Sequence, residues 1–282
     1  MLDRTLVTES DTPTAYFDAR QRPDDPVDRA HWEEEIAGCV NECLFAVIRN
    51  IPAAAGCDAS TVRQEGRAFM RQATHSYPWS EDGQRVLLRG LGPATADTSP
   101  ALLQTCQRAQ ELFFSIAQTC LTPAEYERTR GETTLASHDP ILQVYESWQG
   151  SHGLHNDSRQ SHLRLPLIGS FLVAKGSNAR GLKIWPGYAD DAIEIELAPG
   201  DLMLMRDSIE VKSGQIRYPL THATMPATGP EDSERIVAIH RAGLFPRSFL
   251  DSVHDAGKNL MDIYLESVAG THAADLASAN AT

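Results

Sequence analysis

The chain reads as mainly β with a helical N-terminal support, an α+β protein whose core is an antiparallel sandwich or barrel. Three observations predict this. Over residues 1–139 apolar residues recur at helical spacing. Near residue 140 the texture changes to short β-rich runs separated by Gly, Pro, Asn and Asp. After Pro246 the helical period returns. The 282 residues fit one domain, with 1–139 as helical support, 140–246 as β core and 247–282 as C-terminal helix and tail.

From the N-terminus, "PVDRAHWEEEIAGCVNECLFAVIRN" sets Trp32, Ile36, Val40, Cys43, Leu44, Val47 and Ile48 on one helical face. "STVRQEGRAFMRQ" offers Thr61 and Gln64 as a capping box. "SPALLQTCQRAQELFFSIAQTC" begins with Ser99 as cap and Pro100 in the first helical position. "TPAEYERTRG" repeats that start at Thr122 and Pro123, with Gly131 as its stop. Then "ILQVYESW", "SFLVA", "GLKIW", "AIEIELA", "DLMLM" and "RIVAIHRAGLF" read as strands. "AIEIEL" alternates apolar and acidic residues, so one face is buried and the other wet. Short strands with turn signals and no helices between them imply antiparallel pairing. "SFLDSVHDAGKNLMDIYLESVAG" closes the fold as helix, and the small, polar tail after it frays.

Composition narrows the partners. With a formal net charge of -13, the chain is repelled by phosphate backbones and anionic lipid, so neither nucleic acid nor a membrane surface is expected as partner. Five cysteines without a CxxC read as reduced core residues of a cytoplasmic protein. The polar, acidic N-terminus is not a signal peptide, and no apolar stretch reaches membrane length.

The chemistry centres on "HGLHND", residues 152–157. On a strand, side chains two apart share a face, so His155 and Asp157 can reach one ion while His152 is out of step. Imidazole with carboxylate suits a divalent ion of intermediate hardness such as Fe(II). Taken alone the pair is weak: with ten histidines, about one chance His-x-Asp is expected. HExxH, GxSxG, GxxxxGK[ST] and a strand-linked GxGxxG are absent.

The segments downstream of "HGLHND" raise its weight. "GLKIW", "APGDLMLM", "LTHAT" with His222 and "ERIVAIHR" with Arg235 come next, in that order. Over roughly residues 140–246 the sequence resembles the Fe(II)/2-oxoglutarate-dependent oxygenases. The resemblance implies a double-stranded β-helix core, of the jelly-roll or cupin-like kind. It implies iron held by His155, Asp157 and His222, with 2-oxoglutarate and O2 as co-substrates. Arg235 then clamps the far carboxylate of 2-oxoglutarate, through a bidentate and permanently charged guanidinium. Arg241 lies on the same strand face and is the alternative clamp. A pattern common in the family places Ser two residues after the arginine, where this chain has Val237, so the second polar contact is unassigned.

The implied reaction is hydroxylation of an unactivated C–H bond, with desaturation or cyclisation as variants of the same iron chemistry. In the related halogenases a small residue replaces the carboxylate ligand and chloride fills its place; Asp157 favours hydroxylation instead. The "HGLHND" spacing also loosely resembles the free-amino-acid halogenases and their hydroxylase relatives, where the histidine corresponding to His152 contacts substrate. The expected substrate is a small polar molecule, an amino acid or a derivative in secondary metabolism. Arg89, Arg159 and Arg164 are candidate partners for its carboxylate, and Tyr145 and Trp185 candidate walls. The alternative function is a β-helix protein that binds metal or ligand without turnover.

Overall fold

The computed structural model describes residues 16–73, 75–78, 85–120, 133–149, 167–186, 191–206, 208–210, 217–263 and 265–266. The N-terminal part holds β1 (Tyr16–Asp18), α1 (Pro26–Cys43), β2 (Phe45–Arg49), α2 (Ile51–Ala54) and α3 (Ala59–Met70). It continues through β3 (His75–Pro78), β4 (Arg85–Gly90), α4 (Thr95–Thr98), α5 (Pro100–Thr119) and β5 (Thr133–Ser137). Then come β6 (Ile141–Tyr145), β7 (Leu167–Lys175), β8 (Leu182–Pro186) and β9 (Ile193–Ile195). Next are β10 (Leu202–Met205), β11 (Ser208–Glu210), β12 (Arg217–Thr224), β13 (Arg235–Pro246) and α6 (Arg247–Asp255), and residues 260–263 and 265–266 are helical again.

Two sheets form. The larger runs β1-β2-β10-β7-β13-β6-β4-β3, with β5 pairing the far half of β13, and the smaller runs β11-β12-β8-β9. From β7 onward the chain alternates: β7 in the large sheet, β8 and β9 in the small, β10 in the large, β11 and β12 in the small, β13 in the large. The chain thus crosses between the sheets around a common interior, with β8–β9 and β11–β12 as the directly paired neighbours in this stretch. This winding is a double-stranded β-helix.

The long strands β7 and β13 of the large sheet divide their side chains between two cores. On β7, Ile168 and Leu172 join Met203, Met205, Ile184 and Val237 between the sheets. Phe171 and Val173 turn the other way and pack with Ile36, Val62, Phe113 and Ile116 from α1, α3 and α5. The large sheet is therefore buried on both faces, which explains the unbroken apolar run "LIGSFLVA".

The N-terminal support is less helical than expected: besides its helices it supplies β1 to β5 to the large sheet. The helical spacing of residues 26–50 extends through Ile48, yet α1 stops at Cys43 and Leu44 adopts a left-handed φ of 69°. Residues 45–49 become β2, antiparallel to β10 with Phe45 facing Met205. An apolar run of this length satisfies helix and buried-strand patterns equally, and the partner strand is far away in sequence. The cap of α3 is Asp58, which accepts from the Thr61 N–H at 2.8 Å; the expected Thr61–Gln64 box falls inside the helix. Ser99 and Pro100 begin α5 as expected, although the Ser99 side chain makes no capping bond. The segment around Thr122 to Gly131 lies outside the described residues. All five cysteines are free thiols. Among the described residues no helix is long and apolar enough to cross a membrane.

Candidate metal and co-substrate site

Strand register fixes which candidate side chains point inward. On β12, His222 stands opposite Ile184 of β8, and Thr224 opposite Leu182. Ile184 and Leu182 belong to the core between the sheets, so His222 and Thr224 face the same interior. Both are buried. Trp185, opposite Thr221, is on the outer face of the small sheet. It is therefore not a wall of the interior, contrary to expectation.

On β13, Arg235, Val237, Ile239 and Arg241 share the inward face by alternation, while Ile236, Ala238 and Ala242 pack toward the helices. Arg235 is 8% exposed, and its Nη1 donates to Thr224 Oγ1 at 3.3 Å. Extending the pairing of Val237 with Gln143 by two residues sets Tyr145 across from Arg235. Burial pushes the Arg235 guanidinium below the usual arginine range, against the pull of Tyr145 and Glu196 nearby. Among the described residues no carboxylate lies within ion-pair distance of it. A buried guanidinium without a carboxylate is costly, and its geometry matches a bidentate anion.

Arg235, Thr224 and Tyr145 line a cavity of about 140 Å³ that reaches outward to Trp148 and Arg180. The loops around it are tied together. Met225 N donates to Gly181 O at 3.3 Å, Ala227 N to Trp148 O at 3.3 Å, and Thr228 N to Asn178 O at 2.9 Å. Glu234 beside the cavity is held by Arg67 of α3.

The other candidates lie elsewhere. Arg241 stands opposite Ile168, at the far end of the β13–β7 ladder from Arg235, about 20 Å away at the rise of a strand. There it neighbours His138. Arg89 is paired with Leu142 and shares its helix-facing side. It donates to Phe69 O at 2.7 Å and to Gln72 Oε1 at 3.3 Å, and stacks 3.8 Å over the Phe69 ring. Arg89 thus braces α3 and is no part of the interior site. His152, His155, Asp157, Arg159 and Arg164 lie outside the described residues.

Two residues went unnoticed in the sequence. Thr224 sets a hydroxyl against Arg235; its signal was its place two residues after His222 in "LTHAT". Arg180 reaches the cavity from a turn, where no periodicity marks it.

No protein-family model and no curated protein matches the chain. Solved structures do resemble it. A Pseudomonas putida prolyl-4-hydroxylase is 15% identical, with a TM-score of 0.49, covering 75% of this chain and 98% of its own. The rice dioxygenase for auxin oxidation is 13% identical at a TM-score of 0.48, covering 86% and 96%. The non-heme α-ketoglutarate-dependent epimerase SnoN of nogalamycin biosynthesis is 13% identical at 0.49, covering 77% and 84%. These are likenesses of fold. The assignment of the double-stranded β-helix rests on the strand order of this chain.

Proposed function

We propose that the protein is an Fe(II)- and 2-oxoglutarate-dependent oxygenase that hydroxylates a small polar molecule, an amino acid or a derivative of one, in the cytoplasm as a step of secondary metabolism. The observation that carries this reading is Arg235: a buried guanidinium, bonded to Thr224 and lacking a carboxylate partner among the described residues, on the same interior as His222. A fold that buries such a charge needs an anion to offset it. In this reading His222 joins His155 and Asp157 as ligands of the iron. One imidazole facing an apolar interior, with a cation set to receive a dicarboxylate, suits that donor set.

Iron with 2-oxoglutarate and O2 supplies oxidative attack on an unactivated C–H bond, with succinate and CO2 as co-products. The chain's own residues position and shield. Arg235 and Thr224 orient the far carboxylate of the co-substrate, and Tyr145 closes the same wall. Ile184, Leu182 and Val237 keep the interior dry, which strengthens the Arg235 contact. Asp157 would hold the iron as a carboxylate ligand where the halogenases have a small residue, which favours an oxygenated product over a halogenated one. His152 is the candidate substrate contact.

The test is aerobic incubation with Fe(II), 2-oxoglutarate and a panel of amino acids and derivatives, following succinate. Succinate that needs iron and a panel member, with an oxygenated product, is expected. Succinate accompanied by chloride incorporation and no oxygenated product would overturn the role given to Asp157.

A further inference from the structure

The cavity does not end at Arg235. From the buried Arg235 and Thr224 it runs to Trp148, which is 37% exposed, and to Arg180 at the rim. Two guanidinium groups therefore share one small cleft, one at its floor and one at its mouth. Arg180 donates to Glu194 at 3.1 Å, and its other N–H groups have no partner among the described residues. The carboxylates beside the cleft face cations of their own: Glu234 is bound by Arg67, and Glu146 lies 3.9 Å from Arg85. The walls are hydrogen-bonded to each other, so the cleft is formed before any ligand arrives.

We propose that this cleft binds a short linear dicarboxylate lengthwise, one carboxylate on Arg235 and Thr224 and the other on Arg180, outside the iron position. The proposal rests on the reading of Arg235 as a carboxylate clamp. His222 is not among the residues lining the cleft, so a ligand lying there meets no metal ligand among the described residues. It would occupy the guanidinium that the co-substrate needs, and so compete with 2-oxoglutarate from the solvent side. Succinate, the co-product of the proposed reaction, belongs to this class.

Calorimetric titration of the metal-free protein with succinate, glutarate and butyrate tests the idea. The two diacids should bind more tightly than butyrate. Arg180→Gln should weaken the diacids about tenfold, the worth of one charge-assisted bond, and leave butyrate unchanged. Arg180→Lys should restore part of the loss. Equal diacid affinity in wild type and Arg180→Gln overturns the lengthwise site while leaving the Arg235 clamp standing. If neither diacid nor butyrate binds the wild type, the clamp falls with it.

Discussion

Arg235 carries a burial cost that no carboxylate among the described residues lies close enough to offset as an ion pair, and this makes it the most informative residue to change. Replacing a buried unpaired charge with an apolar side chain of similar length removes that cost. Arg235→Met should raise the stability of the ligand-free protein by about 1 kcal/mol in urea unfolding. The same change should weaken 2-oxoglutarate about 100-fold, through loss of a bidentate charge-assisted contact. A variant that is destabilised yet binds 2-oxoglutarate normally would show Arg235 to be a structural brace. Strand alternation alone could not choose between Arg235 and Arg241, because both have the same parity. Position along the strand decides, and that depends on which neighbours the register supplies. Arg235 meets Thr224, whereas Arg241 meets His138.

His138 and His240 add a pH dependence at the same scale. Burial, with Arg241 nearby, lowers His138 to about 4; burial, with His138 nearby, lowers His240 to about 3. His240 is bonded through Nδ1 to Gln110 and packs on Phe113. Both rings are neutral in the folded protein at neutral pH. The unfolded chain takes up their protons near pH 6.5, before the folded chain does. Stability is therefore whole above about pH 6.5 and falls below it, by up to about 1.4 kcal/mol per pH unit for each ring. Urea unfolding at pH 7 and pH 5.5 should differ by about 2 kcal/mol. Equal stability at the two values would contradict the burial of neutral rings.

Among the elements, the clasp between the β7–β8 turn and the β12–β13 loop shapes the cleft. Ser177 N donates to Asp232 Oδ2 at 2.7 Å, and Asn178 N to Asp232 O at 3.1 Å. Gly176 lies against the Asp232 backbone so closely that a Cβ would overlap its carbonyl. Backbone cannot step aside as a side chain tip does. Gly176→Ala should cost about 1–3 kcal/mol and open the clasp, weakening glutarate binding. A variant as stable as wild type would refute the close approach. None of this is legible in the sequence, since a glycine in a turn gives no sign of what it touches. Elements with strong local signals are legible: Ser99 and Pro100 announce α5, and the β runs after residue 140 fall where expected. β2 is not, because its strand identity comes from β10, more than a hundred residues away.

At the scale of the whole molecule, the large sheet joins two cores, one shared with α1, α3 and α5 and one with the small sheet. The N-terminal residues do more than cover that sheet: β1 to β5 extend it to nine strands. Texture in the sequence separates a mostly helical stretch from a β-rich one but cannot show these pairings, which are non-local. The order of "HGLHND", "LTHAT" and "ERIVAIHR" points to an interior site, and the register turns His222 and Arg235 to one interior. The central claim is that this interior holds Fe(II) and 2-oxoglutarate together. Anaerobic addition of Fe(II) and then 2-oxoglutarate should produce a weak visible charge-transfer band in the wild type and none in His222→Ala. No band in the wild type, or an undiminished band in His222→Ala, would contradict it.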